Sequence, residues 1–203
     1  MQYFKSLPKI RYTDDKNIST IYTNLMARAS VIPSMLTNSL LFYRYDVQDD
    51  DTPEIVAYKY YGDMNRFWIV LYCNQITDPQ WDWPLSSSKF ESYIDAKYTA
   101  DLPKYNVHHY EKTISKTNRT SGTNQDITSS FETIIITYED YLILDTSSYT
   151  YNMSTGTVTI DTTKRAVTNY DYELELNESK RSINILNKSY ADQLESEFKK
   201  IMS

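Results

Sequence analysis

The strongest pattern of apolar and polar positions lies between residues 41 and 100. Leu41–Asp46 is dense in β-forming side chains and reads as a strand. The run from Asp49 to Glu54 reads as a helix start. Asp51 or Thr52 caps it, Pro53 suits its first turn, and Glu54 favours the positive end of its dipole. Ile55, Val56, Tyr58 and Lys59 carry that helix to Tyr61, where Gly62 supplies a left-handed stop. Asp63 or Asn65 opens a second helix through Arg66–Cys73, apolar nearly all round and therefore expected to be buried. Asp78–Pro84 is a tight aromatic turn. Ser88–Tyr98 predicts an amphipathic helix with Phe90, Tyr93, Ile94 and Tyr98 on one side.

The flanks read differently. Over residues 1–40, Ile21, Leu25 and Ala29 fall at i, i+4 and i+8 and predict a helix over Thr20–Val31 behind an amino-terminal arm. Residues 101–167 replace helical period with alternation. Thr133–Tyr138 and Tyr141–Leu144 read as strands, Tyr149 to Ile160 as a hairpin turning at Gly156, and Lys116–Ser130 as a mobile loop. Residues 168–203 return to helix over Tyr170–Lys180. A β-like interruption follows at Ile183, Ile185 and Leu186, then a helix capped by Ser189 with Ala191, Leu194, Phe198 and Ile201 on its stripe. The expected class is α+β: arm and helix 1–40, helical unit 41–100, β-rich insertion 101–167, carboxy-terminal helical region 168–203. After Pro79 the chain runs through Trp83-Pro84 into a helix, so Leu41–Asp46 lacks a local partner. An open edge is a liability, so the expected closing strand is Ile183–Leu186.

Composition narrows the chemistry. With Lys plus Arg at 21 and Asp plus Glu at 27, the net charge of −6 argues against a phosphate grip, and no nucleic-acid partner is expected. The longest apolar run, Phe67–Cys73, is too short for a bilayer, and no membrane partner is expected. A lone Cys73 allows no internal disulfide, and the first residues lack the apolar stretch of a signal peptide. Synthesis in a reducing cytoplasm is the expectation. Three glycines leave almost nothing for phosphate-cradling loops. Twenty tyrosines offer large contact area with a polar handle, which suits interfaces as well as strands.

A catalytic constellation does not emerge. Ser6/Lys9, Ser86/Lys89 and Ser196/Lys199 are Ser-x-x-Lys pairs without the partner motifs that would make them catalytic. His108 and His109 are adjacent, so on a strand they point to opposite faces and cannot share a metal. The aspartates at 49–51 lack the alternating ligands, sixth-position Gly and closing Glu of a calcium loop. Cys73 inside an apolar helix reads as core. No catalytic, cofactor or metal site is expected. Tyr3, Phe4 and Tyr12 on the arm are the candidate partner-interface residues, since an arm has no core of its own to fill.

Tyr43–Pro79 resembles a LysM module, with Asp51-Thr52 at the helix start, Ile55 and Ala57 on its apolar face, then Asn74 and Asp78-Pro79. A narrower likeness rests on Tyr61-Gly62, Phe67–Leu71, Asn74, Asp78-Pro79, Trp83, Asn177-Glu178, Arg181, Ile183 and Ile185 in that order. Together they are similar to the LysM-like baseplate wedge protein family of T-even-type contractile phages. The resemblance implies a small LysM-like βααβ unit in a structural, non-enzymatic component of the tail baseplate of the virion. It also implies that the protein joins adjacent wedges around the central hub. The implied partners are other baseplate wedge proteins, including a lysozyme-like sheath-initiating one. Residues 101–167 depart from that pattern. The rival expectation is a LysM-type peptidoglycan-binding module, against which bulky Tyr61, Trp81 and Trp83 are expected to fill the glycan groove. A weaker rival is a cell-wall hydrolase with a carboxylate pair close only in space.

Overall fold

Alternation decides the first element. Lys9–Thr13 (β1) and Ser19–Thr23 (β2) pair antiparallel, Lys9 opposite Thr23 and Thr13 opposite Ser19. Asp14 sets the turn, its carboxylate accepting from the backbone N–H groups of Lys16 and Ile18. The helix expected over Thr20–Val31 is therefore replaced, over Ser19–Thr23, by a strand. Four β-favouring residues in a row (Thr20, Ile21, Tyr22, Thr23) outweigh three apolar side chains at helical spacing. A computed structural model describes residues 3–27, 38–120 and 126–202, with the side chains of 126–129 outside that description. Residues 24–27 of that expected helix form a turn, with Asn24 accepting from Met26 N–H and Ala27 N–H, and 28–31 lie outside the described residues.

The chain divides into two units, Met1–Phe90 with Asn177–Ser203, and Glu91–Leu176. In the first, β3 (Phe42–Asp46) leads to α1 (Pro53–Tyr61), whose N-cap is Thr52 and whose C-cap is Gly62 at φ 76°. Asp63 caps a short 3₁₀ turn that runs into α2 (Phe67–Cys73). The aromatic turn is a helical one, α3 (Pro79–Asp82), capped by Asp78. Next comes α4 (Ser87–Lys97).

The second unit is built on one antiparallel sheet of β4 (Val107–Thr120), β5 (Asp126–Ile136), β6 (Ser147–Met153) and β7 (Gly156–Thr168), in the order β5-β4-β7-β6. Strand structure thus occupies most of the segment expected to be a mobile loop, of which 121–125 lie outside the described residues. Tyr141–Leu144 is not a strand. It falls largely within helix α5 (Tyr138–Ile143), because Thr137 and Asp140 form a reciprocal cap that fixes the first turn. Gly156 ends the two-residue turn between β6 and β7 at φ 147°, where a Cβ would meet the Arg119 carbonyl at 2.0 Å, so no other residue fits. The sequence then enters α6 (Asn169–Ser179).

The closing elements return to the first unit. Ser182–Leu186 (β8) pairs antiparallel with β3, Phe42 opposite Leu186 and Asp46 opposite Ser182. The expected partner of the first strand is therefore present. Asn187 caps α7 (Lys188–Met202), its side chain accepting from Ser189 N–H. The cap sits two residues before the expected Ser189. Ile183, Ile185, Val56, Ile69 and Val70 form the centre of the core, with Ala191, Phe198 and Met202 of α7 against it.

The amino-terminal segment is not coreless. Leu7 is 5% exposed within this core, and the Tyr3 ring packs on Trp68 and Phe198 with centroids 5.5 and 5.2 Å away. Leu7→Ala is expected to lower unfolding stability by about 2–5 kcal/mol, whereas exposed Phe4→Ala should stay within about 0.5 kcal/mol. Denaturant melts of the two variants check this. A silent Leu7→Ala would mean that the segment is not docked.

Candidate protein-interaction surface

The first unit is stitched by polar side chains whose partners are distant in sequence. Asp51 is buried between β3 and α1. Its carboxylate accepts from Tyr45 Oη (2.6 Å), Gln48 N (3.1 Å) and Lys59 Nζ (2.6 Å), while its carbonyl accepts from Trp83 Nε1 at 2.8 Å. Burial opposes the charged form, but the Lys59, Tyr45 and Gln48 donors outweigh it and hold the carboxyl below the usual range. Asn74, at the end of α2, mimics a strand. Its Nδ2 donates to Asn184 O and its Oδ1 accepts from Asn184 N, both at 2.8 Å, so it seals the edge of β8 that β3 leaves open.

The same device recurs. Asn177 Oδ1 accepts from Leu85 N at 2.7 Å, and its Nδ2 donates to Leu85 O at 3.1 Å. Arg181 reaches Glu178, Asp49 and the Val47 carbonyl, fixing the chain just ahead of β8. Tyr61 donates to Leu186 O at 2.8 Å, and burial pushes its hydroxyl pKa upward. In the second unit Glu173 of α6 gathers Lys97 Nζ, Tyr98 Oη and Tyr93 Oη within 3.1 Å. Among the residues that carried the family likeness, Tyr61, Asn74, Trp83, Asn177 and Arg181 are clips, and Trp68, Ile69, Val70, Ile183 and Ile185 are core.

Burial pushes the Cys73 thiol up to about 12, which leaves it protonated and inert at neutral pH. The two histidines do not point apart as alternation required. A register shift between Val107 and His109 bends β4, and their Nδ1 atoms lie 2.8 Å apart, with His108 stacked on Tyr172. Among the described residues there is no cluster of three or more His, Cys, Asp or Glu set to hold a metal, and no helix is long and apolar enough to cross a membrane. A cleft of about 350 Å³ is lined by Asn74, Gln75, Ile76, Asp82, Ser179, Lys180, Ser182 and Ile183. It carries no aromatic platform for a sugar ring to stack on. Tyr61 and Trp83, expected to fill a glycan groove, are core residues, while Trp81 is exposed.

What stands out is exposed apolar surface. Every residue of β1 and β2 is exposed. Ile10 and Tyr12 share one face with Tyr22, the Tyr12 and Tyr22 rings lying edge to face at 6.4 Å; Lys9 and Arg11 share the other with Ile21. Of the three residues expected at an interface, Tyr12 lies on this apolar face, Phe4 is exposed, and Tyr3 is partly spent on the core. Ile10, Ile21 and Tyr22 were missed. The signal was the alternation in Lys9–Thr13 and the β-favouring run Thr20–Thr23, masked by the helical spacing of Ile21 and Leu25.

The family model described as "Base plate wedge protein 53" matches residues 3–201. No curated protein matches the chain.

The Asp51 cluster makes acid sensitivity testable. Its carboxyl ionises more readily in the folded chain than in the unfolded one. The cluster therefore adds stability above the ordinary carboxylate range, and that increment fades as pH falls through the folded value. Asp51→Asn is expected to cost about 1.5–3 kcal/mol at pH 7 and progressively less toward pH 3. Urea melts across that range check it, and a cost independent of pH would contradict it.

Proposed function

Since this chain belongs to the base plate wedge protein 53 family, and so is a structural protein of the phage tail baseplate, we propose that it joins adjacent wedges and neighbouring baseplate proteins as the tail assembles. The observation that carries this reading is the β1–β2 hairpin. A two-stranded hairpin is marginal on its own in water, and this one buries neither face. A neighbouring protein that covers Ile10, Tyr12 and Tyr22 supplies the packing the hairpin lacks. Aromatic anchors in the centre of a desolvated patch are what interfaces of this kind use.

The wider arrangement supports the same reading. The β3–α1–α2 segment closed by β8 supports a LysM-like unit, and residues 91–176 between its parts support an insertion presenting a further surface. Phe4 and Tyr12 are the interface residues we favour, with Tyr3 positioning the segment from below. Neighbouring wedges around the hub, and among wedge proteins a lysozyme-like sheath-initiating one, are the partners this reading names. Several modest contacts engaged at once hold more tightly than any one alone.

Replacing Ile10, Tyr12 and Tyr22 together with Ser is expected to leave the melting profile of the free chain close to that of the parent. The same variant should fall at least tenfold in incorporation into tails, scored by particle yield. Insoluble peptidoglycan should leave the parent protein in the supernatant. Normal yields with the triple variant would remove the hairpin as the anchor, and saturable retention on peptidoglycan would favour glycan binding.

A further inference from the structure

We propose that β6, the edge strand of the second unit, is a strand-addition site that takes an extended, acid-bearing segment of a neighbouring baseplate protein as a fifth strand. The proposal rests on the baseplate reading above and adds the mode of contact. In the order β5-β4-β7-β6, only β7 pairs with β6, and among the described residues no other backbone group bonds to its free side. Free sheet edges are normally blunted by charge, proline, a bulge or a cover. Ser147–Met153 has no charged residue and no proline, and its pairing with β7 runs without a register shift. The opposite edge is treated otherwise: β5 carries Asp126 and Glu132, and its pairing with β4 is bulged at Lys116/Thr117.

The side chains match the backbone. Tyr149, Tyr151 and Met153 alternate onto one face and are 60%, 53% and 58% exposed. Through the register they continue into Ile160 and Val158 of β7, so an added strand with apolar residues at every second position would extend an existing apolar band. Among the described strand residues of that face, Lys112, Lys116 and Lys164 stand against one acid, Glu132, on a chain whose net charge is −6. That local excess of positive charge favours an acidic segment and disfavours a second copy of this chain. Main-chain bonds along the edge would give affinity, and the tyrosine spacing would set register.

Amide hydrogen exchange of Ser147–Met153 tests this, measured by mass spectrometry on the free full-length chain and on purified tails. Protection is expected to rise at least tenfold in tails. Placing negative charge on the edge by Tyr149→Glu with Tyr151→Glu, which repels an acidic segment, is expected to lower incorporation into tails at least tenfold while the free chain keeps its melting profile. Unchanged exchange in tails that contain the chain would overturn strand addition and leave the wedge reading standing. Absence of the chain from tails would overturn both. Protection that grows with concentration of the free chain, together with dimers by light scattering, would identify the occupant as a second copy and overturn the proposal.

Discussion

The pairing of β3 with β8 is the contact on which the first unit depends. It joins Phe42–Asp46 to Ser182–Leu186, so the core closes only after the whole second unit has been made. The entropic cost of so long a closure is modest, because it grows only with the logarithm of loop length. What the arrangement needs is a seam strong enough to hold once closed. Two strands alone are too weak for that. Asp51 tying β3 to α1, Asn74 on the outer edge of β8, and Arg181 at its entrance supply the rest. Asp51 is itself buried, where an unpartnered carboxylate would be costly, while Asn74 pins β8 from its open side and Arg181 ties its entrance to the Val47 carbonyl. The apolar core of Ile183 and Ile185 against α1 and α2 then packs beneath a fixed frame.

Tyrosine serves both sides of the protein. Inside, the hydroxyl is the useful part: Tyr61 ties α1 to β8, Tyr45 holds Asp51, and Tyr93 and Tyr98 converge on Glu173. Outside, the ring is what the surface presents, at Tyr12 and Tyr22 on the hairpin and Tyr149 and Tyr151 on the sheet edge. A side chain with both functions suits a protein that must be stitched internally and still offer contact area to neighbours. The scarcity of glycine is consistent with that task, since rigid strands and capped helices need left-handed residues at few points. Gly62 and Gly156 occupy two of them.

Much of this was legible in the sequence wherever local chemistry and burial agree. Thr52, Pro53 and Gly62 announce α1, and the apolar run of α2 announces a buried helix. The β3–β8 pairing followed from a missing neighbour, since Trp83-Pro84 forbade a local strand. The misreadings have physical causes. Ile21 and Leu25 sit at helical spacing by coincidence within a strand whose β-branched residues decide its form. Thr137 and Asp140 turn an apolar run into α5 through a cap two side chains wide. Of the candidate site, Tyr12 was legible as an exposed aromatic, but Tyr3 was not legible as core, because its partners Trp68 and Phe198 lie far along the chain. Asn74 and Asn177 carried the family likeness, yet nothing local reveals that their amides stand in for strand backbone.

Native-state hydrogen exchange on the free chain, followed through low concentrations of denaturant, tests the central claim most directly. If the β3–β8 seam is the keystone, amides of Tyr45 and Ile183 open together with those of α1 and α2, at the same free energy and the same denaturant dependence. The exposed hairpin β1–β2 opens far more easily. Exchange of β8 at a markedly lower opening free energy than β3, α1 and α2 would contradict the account, because the unit would then hold without its closing strand.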